Sequence, residues 1–360
     1  MIEIPCLQKR AGFCILVEVI IMSGEQAICR IAVIGAGAVG SALGALLHRA
    51  GQNVVLVARP AHVAAIRRDG LQVDGVMGSF IASIEAAETL NFKPDLALLT
   101  VKAQDVVTVV KANQTFLNGV PVVTFQNGIH SDELVASILP REQILSAVVT
   151  MNAAYLLPGK VTIAIRGSLT IGRPFNQRDG KLEEVAHILN QAIPTRITDN
   201  IQGAHWLKLI INLNNALPAI TNYTMSQVYA DACLRNIAVG IMREGQRIIG
   251  RANIRLESLP EISVGLTRLL YMIPLGMAGR IVAKKYRRLI TEWPLWSSTL
   301  QSILRRRPAE IDYLNGEIVE LGKRYGEATP LNTKIVELVH RVERTGQFLS
   351  AEEIRQAFRQ

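Results

Sequence analysis

Cysteine is scarce in this chain. Four thiols, Cys6, Cys14, Cys29 and Cys233, are spread over 360 residues. Their spacing is neither paired nor metal-like, so a disulfide framework and a cysteine metal centre are excluded and no metal is expected. Reduced thiols point to a cytoplasmic protein. Long apolar runs are also missing. No uninterrupted stretch reaches the roughly eighteen apolar residues that a spanning helix needs. Residues 13–21 are apolar but hold Glu18, and no small-residue cleavage site marks a secretory signal. Residues 1–28 read as a variable N-terminal extension, with Met22 an alternative start. Aromatic residues make up only 5% of the chain and none interleaves with Arg305, Arg306 and Arg307, and no recognised binding fold supports nucleic acid as a partner. Internal repeats, low-complexity tracts and Pro/Gly/Ser-rich linkers are absent.

What is present is globular and basic. Apolar residues make up 49% and charged residues 19%, a composition that folds around a core. The length suits two domains. Lys and Arg number 39 against 30 Asp and Glu, a net charge of +9. That balance suits an anionic partner, and a phosphorylated cofactor or a carboxylate substrate needs only a local pocket.

From Arg30 the text alternates between short apolar runs and helical patterns. "RIAVIG", "NVVLVAR", "DLALLTVK" and "VPVVTFQNG" read as strands, with "AVGSALGALLHRAG", "AHVAAIRRDG" and "AQDVVTVVKAN" as helices between them. Such alternation predicts a parallel sheet covered on both faces. "LQVDG" and "GSFIASIEAA" read as an inserted hairpin, and "KVTIAIRG" and "SLTIG" add β structure. Beyond "TRITD" the periodicity is helical throughout. The expected architecture is an α/β Rossmann-type domain over 29–198 and an all-α domain over 199–360, packed tightly because no linker separates them.

"IAVIGAGAVGSALG" sets Gly35, Gly37 and Gly40 in G-x-G-x-x-G spacing, after a strand and at the start of a helix. In that context Gly35 permits a tight turn, Gly37 lets the backbone approach a pyrophosphate, and Gly40 allows close helix–strand packing. The second strand ends "VLVARP", with Arg59 where an NAD site has an acid; arginine there suits a 2′-phosphate, so NADPH is the expected cofactor. Arg67 and Arg68 fit a solvated face better. Lys102 and the run Gln126, Asn127, Gly128 stand at the carboxyl ends of two further strands, where ligands of open α/β sheets sit.

"HWLKLIINLNNALPAIT" reads as one apolar helix from His205 to Thr221. It carries Lys208, Asn212, Asn214 and Asn215, which are costly to bury without partners. At 100° per residue, Asn212 lies about 40° around from Lys208 and Asn215 about 20° the other way. Asn214 points elsewhere. A snorkelling lysine with two satisfied core amides is the plain reading, but three aligned polar groups favour a site. Farther on, Ser297 and Ser298 open a helix, "RRRP" breaks it, and Glu310 falls in the first turn of the next. A first-turn glutamate is often only a cap, and Arg305, Arg306 and Arg307 suit a solvated face.

Together "IAVIGAGAVG", "VKAQDV", "QNGI", "WLKLIINLNNAL", "SSTLQSILRRRPAEIDYLNG" and "TPLN" at 329–332 resemble the ketopantoate (2-dehydropantoate) reductases over about residues 30–340. "AEIDYLNG" and the W-x-K-L-x-x-N pattern are far more specific than the glycine motif. The resemblance implies a Rossmann domain followed by a helical domain like the C-terminal part of 6-phosphogluconate dehydrogenase. It implies NADPH-dependent reduction of 2-dehydropantoate to pantoate, in pantothenate and coenzyme A synthesis. Lys208 would be the proton donor, and Asn212, Asn215 and Ser298 would bind substrate. Asn127 would sit where nicotinamide and substrate meet. Glu310 would bridge substrate and either lysine or cofactor. Gly35, Ala36, Gly37, Ala38, Val39, Gly40, Arg59, Lys102 and Ala154 would hold the cofactor.

The chain departs from the family at two positions. Ala216 stands where the family has an asparagine, eight residues after the lysine, and Ser302 stands where it has an aspartate. A further difference is extra length at 251–296, including "SVGLTRLLYMIPLGMAGRIVAKKYRRLI". A lid, a dimer surface and a membrane-surface helix all fit this insert, and the packing roles rank first. The chemistry is coherent: hydride attack on a 2-oxo acid builds charge on the ketone oxygen, which an ammonium stabilises and then protonates. Burial should lower the lysine pKa and Glu310 should oppose that shift. Two rivals remain. One is a reductase of another 2-oxo acid on this fold. The other is a non-catalytic, membrane-associated dinucleotide sensor, which would need only the Rossmann half.

Overall fold

A computed structural model describes residues 29–288 and 295–358. The extension at 1–28, with Cys6, Cys14 and the apolar run at 13–21, and residues 289–294 of the insert lie outside the described residues. The N-terminal half starts β1 (Arg30–Ile34), α1 (Ala38–Arg49), β2 (Asn53–Val57), α2 (Pro60–Asp69), β3 (Leu71–Gly75), β4 (Phe80–Ala82), β5 (Glu85–Ala87), β6 (Leu96–Leu99). It continues through α3 (Val106–Leu117), β7 (Val122–Thr124), α4 (Ser131–Ala136), β8 (Ile144–Val149), β9 (Asn152–Ala154), β10 (Lys160–Ile165), β11 (Leu169–Gly172), α5 (Gly180–Asn190) and β12 (Thr195–Ile197).

Eight strands form the main sheet in the order β12-β11-β8-β7-β6-β1-β2-β5. β6 and β8 are buried along their whole length, as strands covered on both faces must be. α1 and α5 supply the apolar layer on one face and α3 and α4 that on the other. All pairings in this sheet are parallel except β8 with β11, which run antiparallel. The expected hairpin, β3 with β4, is extended by β10 and β9 into a second sheet. That sheet packs on α1, which explains why α1 buries every residue from Gly40 to Leu47: a helix between two sheets has no polar face. The chain leaves β1 toward β2 on one side and later places β6 on the other. The crevice beyond the carboxyl ends of β1, β2, β6 and β7 is therefore the switch point of the sheet.

The second half is helical: α6 (Ile201–Asn212), α7 (Ala216–Thr221), α8 (Met225–Ala230), α9 (Ala232–Arg251), α10 (Val264–Met272), α11 (Leu275–Arg288), α12 (Ser298–Leu304), α13 (Asn315–Arg324), α14 (Pro330–Thr345) and α15 (Ala351–Ala357). α9 runs through the middle, with α6, α8, α11, α13, α14 and α15 against it. α6 begins at Asn200, whose side chain accepts from Gly203 N at 3.0 Å. Ile201, Ala204 and Leu207 then pack on Val148 of β8. This i, i+3, i+6 face locks α6 onto the sheet, and Lys208 and Asn212, one and two turns beyond Ala204, continue the same side of the helix.

The segment 205–221 is not one helix. α6 stops at Asn212, residues Leu213–Asn215 form a 3-10 turn, and α7 follows. The cause is Pro218, which has no N–H to give the carbonyl of Asn214 and whose ring crowds it. The turn is held from behind. Asn315 Nδ2 donates to Leu213 O at 3.2 Å and to Asn332 Oδ1 at 2.9 Å. The buried Glu244 carboxylate accepts from Asn332 Nδ2 at 2.8 Å and from the backbone N–H groups of Leu331 and Asn332 at 3.0 and 2.8 Å. Glu244→Ala orphans these donors, and urea unfolding should show a loss of about 3 kcal/mol. An unchanged midpoint would show that the network carries no stability.

Candidate active site

The glycine turn is built for close approach. Gly35 has φ +97°, a left-handed conformation, and a Cβ there would collide with Val101. A Cβ on Gly40 would land on Thr100 Oγ1 and 2.9 Å from Gly35 O, so the first turn of α1 lies directly on the strand ends. Gly37 differs: a Cβ there would meet nothing nearer than Gly35 O at 3.9 Å, so this backbone faces open space. No side chain caps the N-terminus of α1, which leaves its first amides available to an anion. This cradle fits the pyrophosphate of a dinucleotide.

His62 of α2 braces the cradle. Gly159 N donates to its Nδ1 at 2.9 Å, so the neutral ring carries its proton on Nε2, 3.0 Å from Ser41 Oγ. Ser41 Oγ in turn donates to Ala36 O at 3.2 Å. Burial pushes the His62 pKa down to about 4, which keeps the ring neutral in this role.

Around the crevice the two halves interlock through polar side chains. Asn212 Nδ2 donates to Asn127 Oδ1 at 3.3 Å. Lys102 Nζ donates to Ser302 Oγ at 2.7 Å and to Pro308 O at 2.5 Å. Ala103 N donates to Glu310 Oε1 at 3.3 Å. Asn215 Nδ2 reaches Ser298 Oγ at 3.4 Å, while Ser297 Oγ donates to Asn215 O at 2.9 Å. Ala216 is fully buried in the helical core, so Asn215 is the residue of this turn that faces Ser298. Asn214 is buried, and its Oδ1 has no partner among the described residues. Ala154 ends β9, beside α1 and one residue before Tyr155.

Lys208 is half-buried, and burial pushes its pKa down to about 8 against the opposing charge of Glu310. Beneath it runs a chain of buried polar groups. His205 Nε2 lies 2.7 Å from Ser146 Oγ. Thr124 Oγ1 stands 3.2 Å from Ser146 Oγ and 2.5 Å from Asp132 Oδ1. Burial and then the Lys208 charge push His205 down to about 3, and burial pushes Asp132 up to about 6. At neutral pH the imidazole beside Lys208 is therefore uncharged.

Two sequence expectations change. Glu310 is not in the first turn of a helix. α13 begins only at Asn315, and Glu310 lies in the preceding turn, where its carboxylate reaches across to the backbone at Ala103. Arg305 is not on a solvated face. Its guanidinium sits 5.3 Å from the Tyr155 ring centroid, and Nε donates to Gln301 O at 3.0 Å. Its pKa is lowered by burial first and further by Arg59 and Arg307, with Tyr155 opposing. Burial likewise lowers the Lys102 pKa, with Arg305 and Arg59 adding to the shift and Glu310 and Asp105 opposing it. Arg59 caps α2 and is exposed at the end of β2, so cations from both halves surround one end of the crevice. Arg67 and Arg68 are engaged elsewhere, with Ala86 O and Asp69. The sequence does not single out Gln301, yet it ties the halves, donating to Ala153 O at 3.2 Å and accepting from Tyr155 N at 3.3 Å. Its only signal was its place one turn after Ser297.

Residues 31–175 match the family described as ketopantoate reductase PanE/ApbA, and residues 200–343 match its C-terminal part. The chain is 30% identical to the 2-dehydropantoate 2-reductase of Pyrococcus horikoshii, over 88% of this chain and 98% of that protein. It is 27% identical to that of Archaeoglobus fulgidus, over 87% and 98%. A crystal structure of a PanE/ApbA family ketopantoate reductase from Ralstonia eutropha JMP134 superimposes with a TM-score of 0.72 at 29% identity, covering 88% of this chain and 98% of that one. A ternary structure of D-mandelate dehydrogenase with NADH and anilino(oxo)acetate gives 0.73 at 25% identity, covering 88% and 99%.

Glu310→Gln preserves an acceptor for Ala103 N and removes the charge that raises Lys208. Lys208 should then titrate below about 8, read by NMR of reductively methylated lysine. An unshifted titration would show that Glu310 does not reach the ammonium.

Proposed function

The chain belongs to the ketopantoate reductase family, and we propose that it reduces 2-dehydropantoate to pantoate with NADPH, a step toward pantothenate and coenzyme A. The observation that carries this reading is Lys208: a half-buried ammonium with a pKa of about 8 under the opposing charge of Glu310, whose carboxylate accepts from Ala103 N of the other half. Gly35, Gly37 and Gly40 with the amides of Ala36, Ala38 and Val39 would hold the pyrophosphate, and Lys102 and Ala154 would line the same site. Bound there, reduced nicotinamide supplies a hydride to the 2-oxo carbon.

The protein's own residues do the rest. Lys208 stabilises the charge growing on the ketone oxygen and gives that oxygen its proton. Asn212, Asn215 and Ser298 offer hydrogen bonds to the carboxylate and hydroxyl of the substrate. Asn127, linked to Asn212, stands between substrate and cofactor. Glu310, anchored by Ala103 N, holds Lys208 more protonated than burial alone would. Partial exclusion of water strengthens each of these interactions.

NADPH rather than NADH is favoured by the charges at the end of β2. No acid stands there, and Arg59 faces a region to which Arg305 and Arg307 add positive charge. A 2′-phosphate suits that pocket. A second reading is a reductase of a different 2-oxo acid. It is supported by the likeness to D-mandelate dehydrogenase with NADH and anilino(oxo)acetate and by the departures at Ala216 and Ser302.

Consumption of NADPH and of NADH against a panel of 2-oxo acids tests the reading. 2-Dehydropantoate with NADPH should give the highest kcat/KM; a faster acid would favour the second reading, and no oxidation with any acid would sink both. Lys208→Ala should cut kcat by about 10²–10⁴ and leave the cofactor Kd unchanged. Because the proton donor must be protonated, reduction should slow as pH rises through about 8. Arg59→Ala should raise the KM for NADPH about tenfold, ~1.4 kcal/mol, and spare NADH; equal effects on both would refute the 2′-phosphate role.

A further inference from the structure

Six of the eleven exposed large hydrophobic side chains among the described residues fall within positions 269–281: Leu269, Tyr271, Met272, Leu275, Met277 and Ile281. They occupy the end of α10, the turn at 273–274 and the first half of α11. Met272 is 73% exposed and Met277 54%. The same segment is firmly seated on its other side. Leu270, Ala278, Val282 and Ala283 are buried in the helical core, and Tyr286 stacks on Tyr229 with ring centroids 4.3 Å apart. Arg243 of α9 donates to Leu270 O through Nε and Nη2 at 3.0 and 2.7 Å, which satisfies the C-terminal end of α10. The fold therefore presents this apolar apex on a braced pair of helices.

The charge along α10 and α11 has one sign. Between Ser263 and Arg288 the sequence has no Asp or Glu, and Arg268, Arg280, Lys284, Lys285 and Arg287 are exposed, Lys285 also donating to the backbone oxygen of Glu261 at 3.0 Å. A second copy of the chain is a poor occupant, because a symmetric contact would set these cations against themselves. No helix among the described residues is long and apolar enough to cross a membrane. Apolar side chains at a helix–turn–helix tip, rimmed by lysine and arginine, match the boundary between acyl chains and anionic headgroups. We propose that the apex formed by α10 and α11 docks the protein on an anionic lipid surface, with Met272, Leu275 and Met277 entering the bilayer and the flanking cations at headgroup level.

Co-sedimentation of the full chain tests this with vesicles of phosphatidylcholine alone and with about one-third phosphatidylglycerol. The expected result is at least tenfold stronger binding to the anionic vesicles. Met272→Glu with Leu275→Glu should abolish binding and leave the melting temperature and NADPH oxidation unchanged, since both side chains are exposed and distant in sequence from every crevice residue. Lys284→Glu with Lys285→Glu should weaken binding tenfold or more. Absence of binding by the parent chain overturns the proposal. So does undiminished binding by the Met272/Leu275 variant, which would mean charge adsorption alone. A dimer in sedimentation velocity that this variant dissociates, with no lipid binding, would assign the apex to a second copy.

Discussion

The contact of α6 with β8 is the constraint on which the site depends. Ile201, Ala204 and Leu207 close on Val148, and that fixes the rotation of α6 about its axis. Lys208 and Asn212 follow one and two turns later on the same side of the helix, so the packing sets their direction too. The lysine thus owes its place to hydrophobic burial, which is short-ranged and insensitive to ligand. The polar links between the halves come on top of this joint. Asn212 with Asn127, Lys102 with Ser302 and Glu310 with Ala103 refine a geometry that packing has already set.

Electrostatics divides the crevice into two regions. At one end Arg59, Lys102, Arg305 and Arg307 supply positive charge, with carboxylate opposition only beside Lys102. At the other, Glu310, which acts on Lys102 as well, opposes the downward shift of Lys208 over a layer of hydroxyls and a neutral imidazole. The first arrangement suits a permanent anion. The second suits a proton that must move, because a lysine near pH 8 can give up its proton without great cost.

The sheet, its order of helices and the glycine turn were legible because they rest on local signals: short apolar runs, period-3.6 helices and the conformational demand of Gly35. The switch to an all-helical half was legible for the same reason. The second sheet was not, since β3 and β10 are far apart in sequence and nothing local marks them as partners. The break within 205–221 is masked in the sequence, because apolar periodicity outweighs the single Pro218 that causes it. Glu310 and Arg305 were misplaced in secondary structure or environment, since their partners Ala103 and Tyr155 belong to the other half. Distant partners leave no trace in the spacing of one segment.

The 3-10 turn at Leu213–Asn215 is fixed through its backbone carbonyls, by Asn315 on Leu213 and by Ser297 on Asn215. Its shape therefore does not depend on the side chain at position 215. Evolution, or a designer, can change that side chain without moving Lys208 or the glycine cradle. On the proposed roles, a change at position 215 would alter the contact with substrate and leave the proton donor where it is.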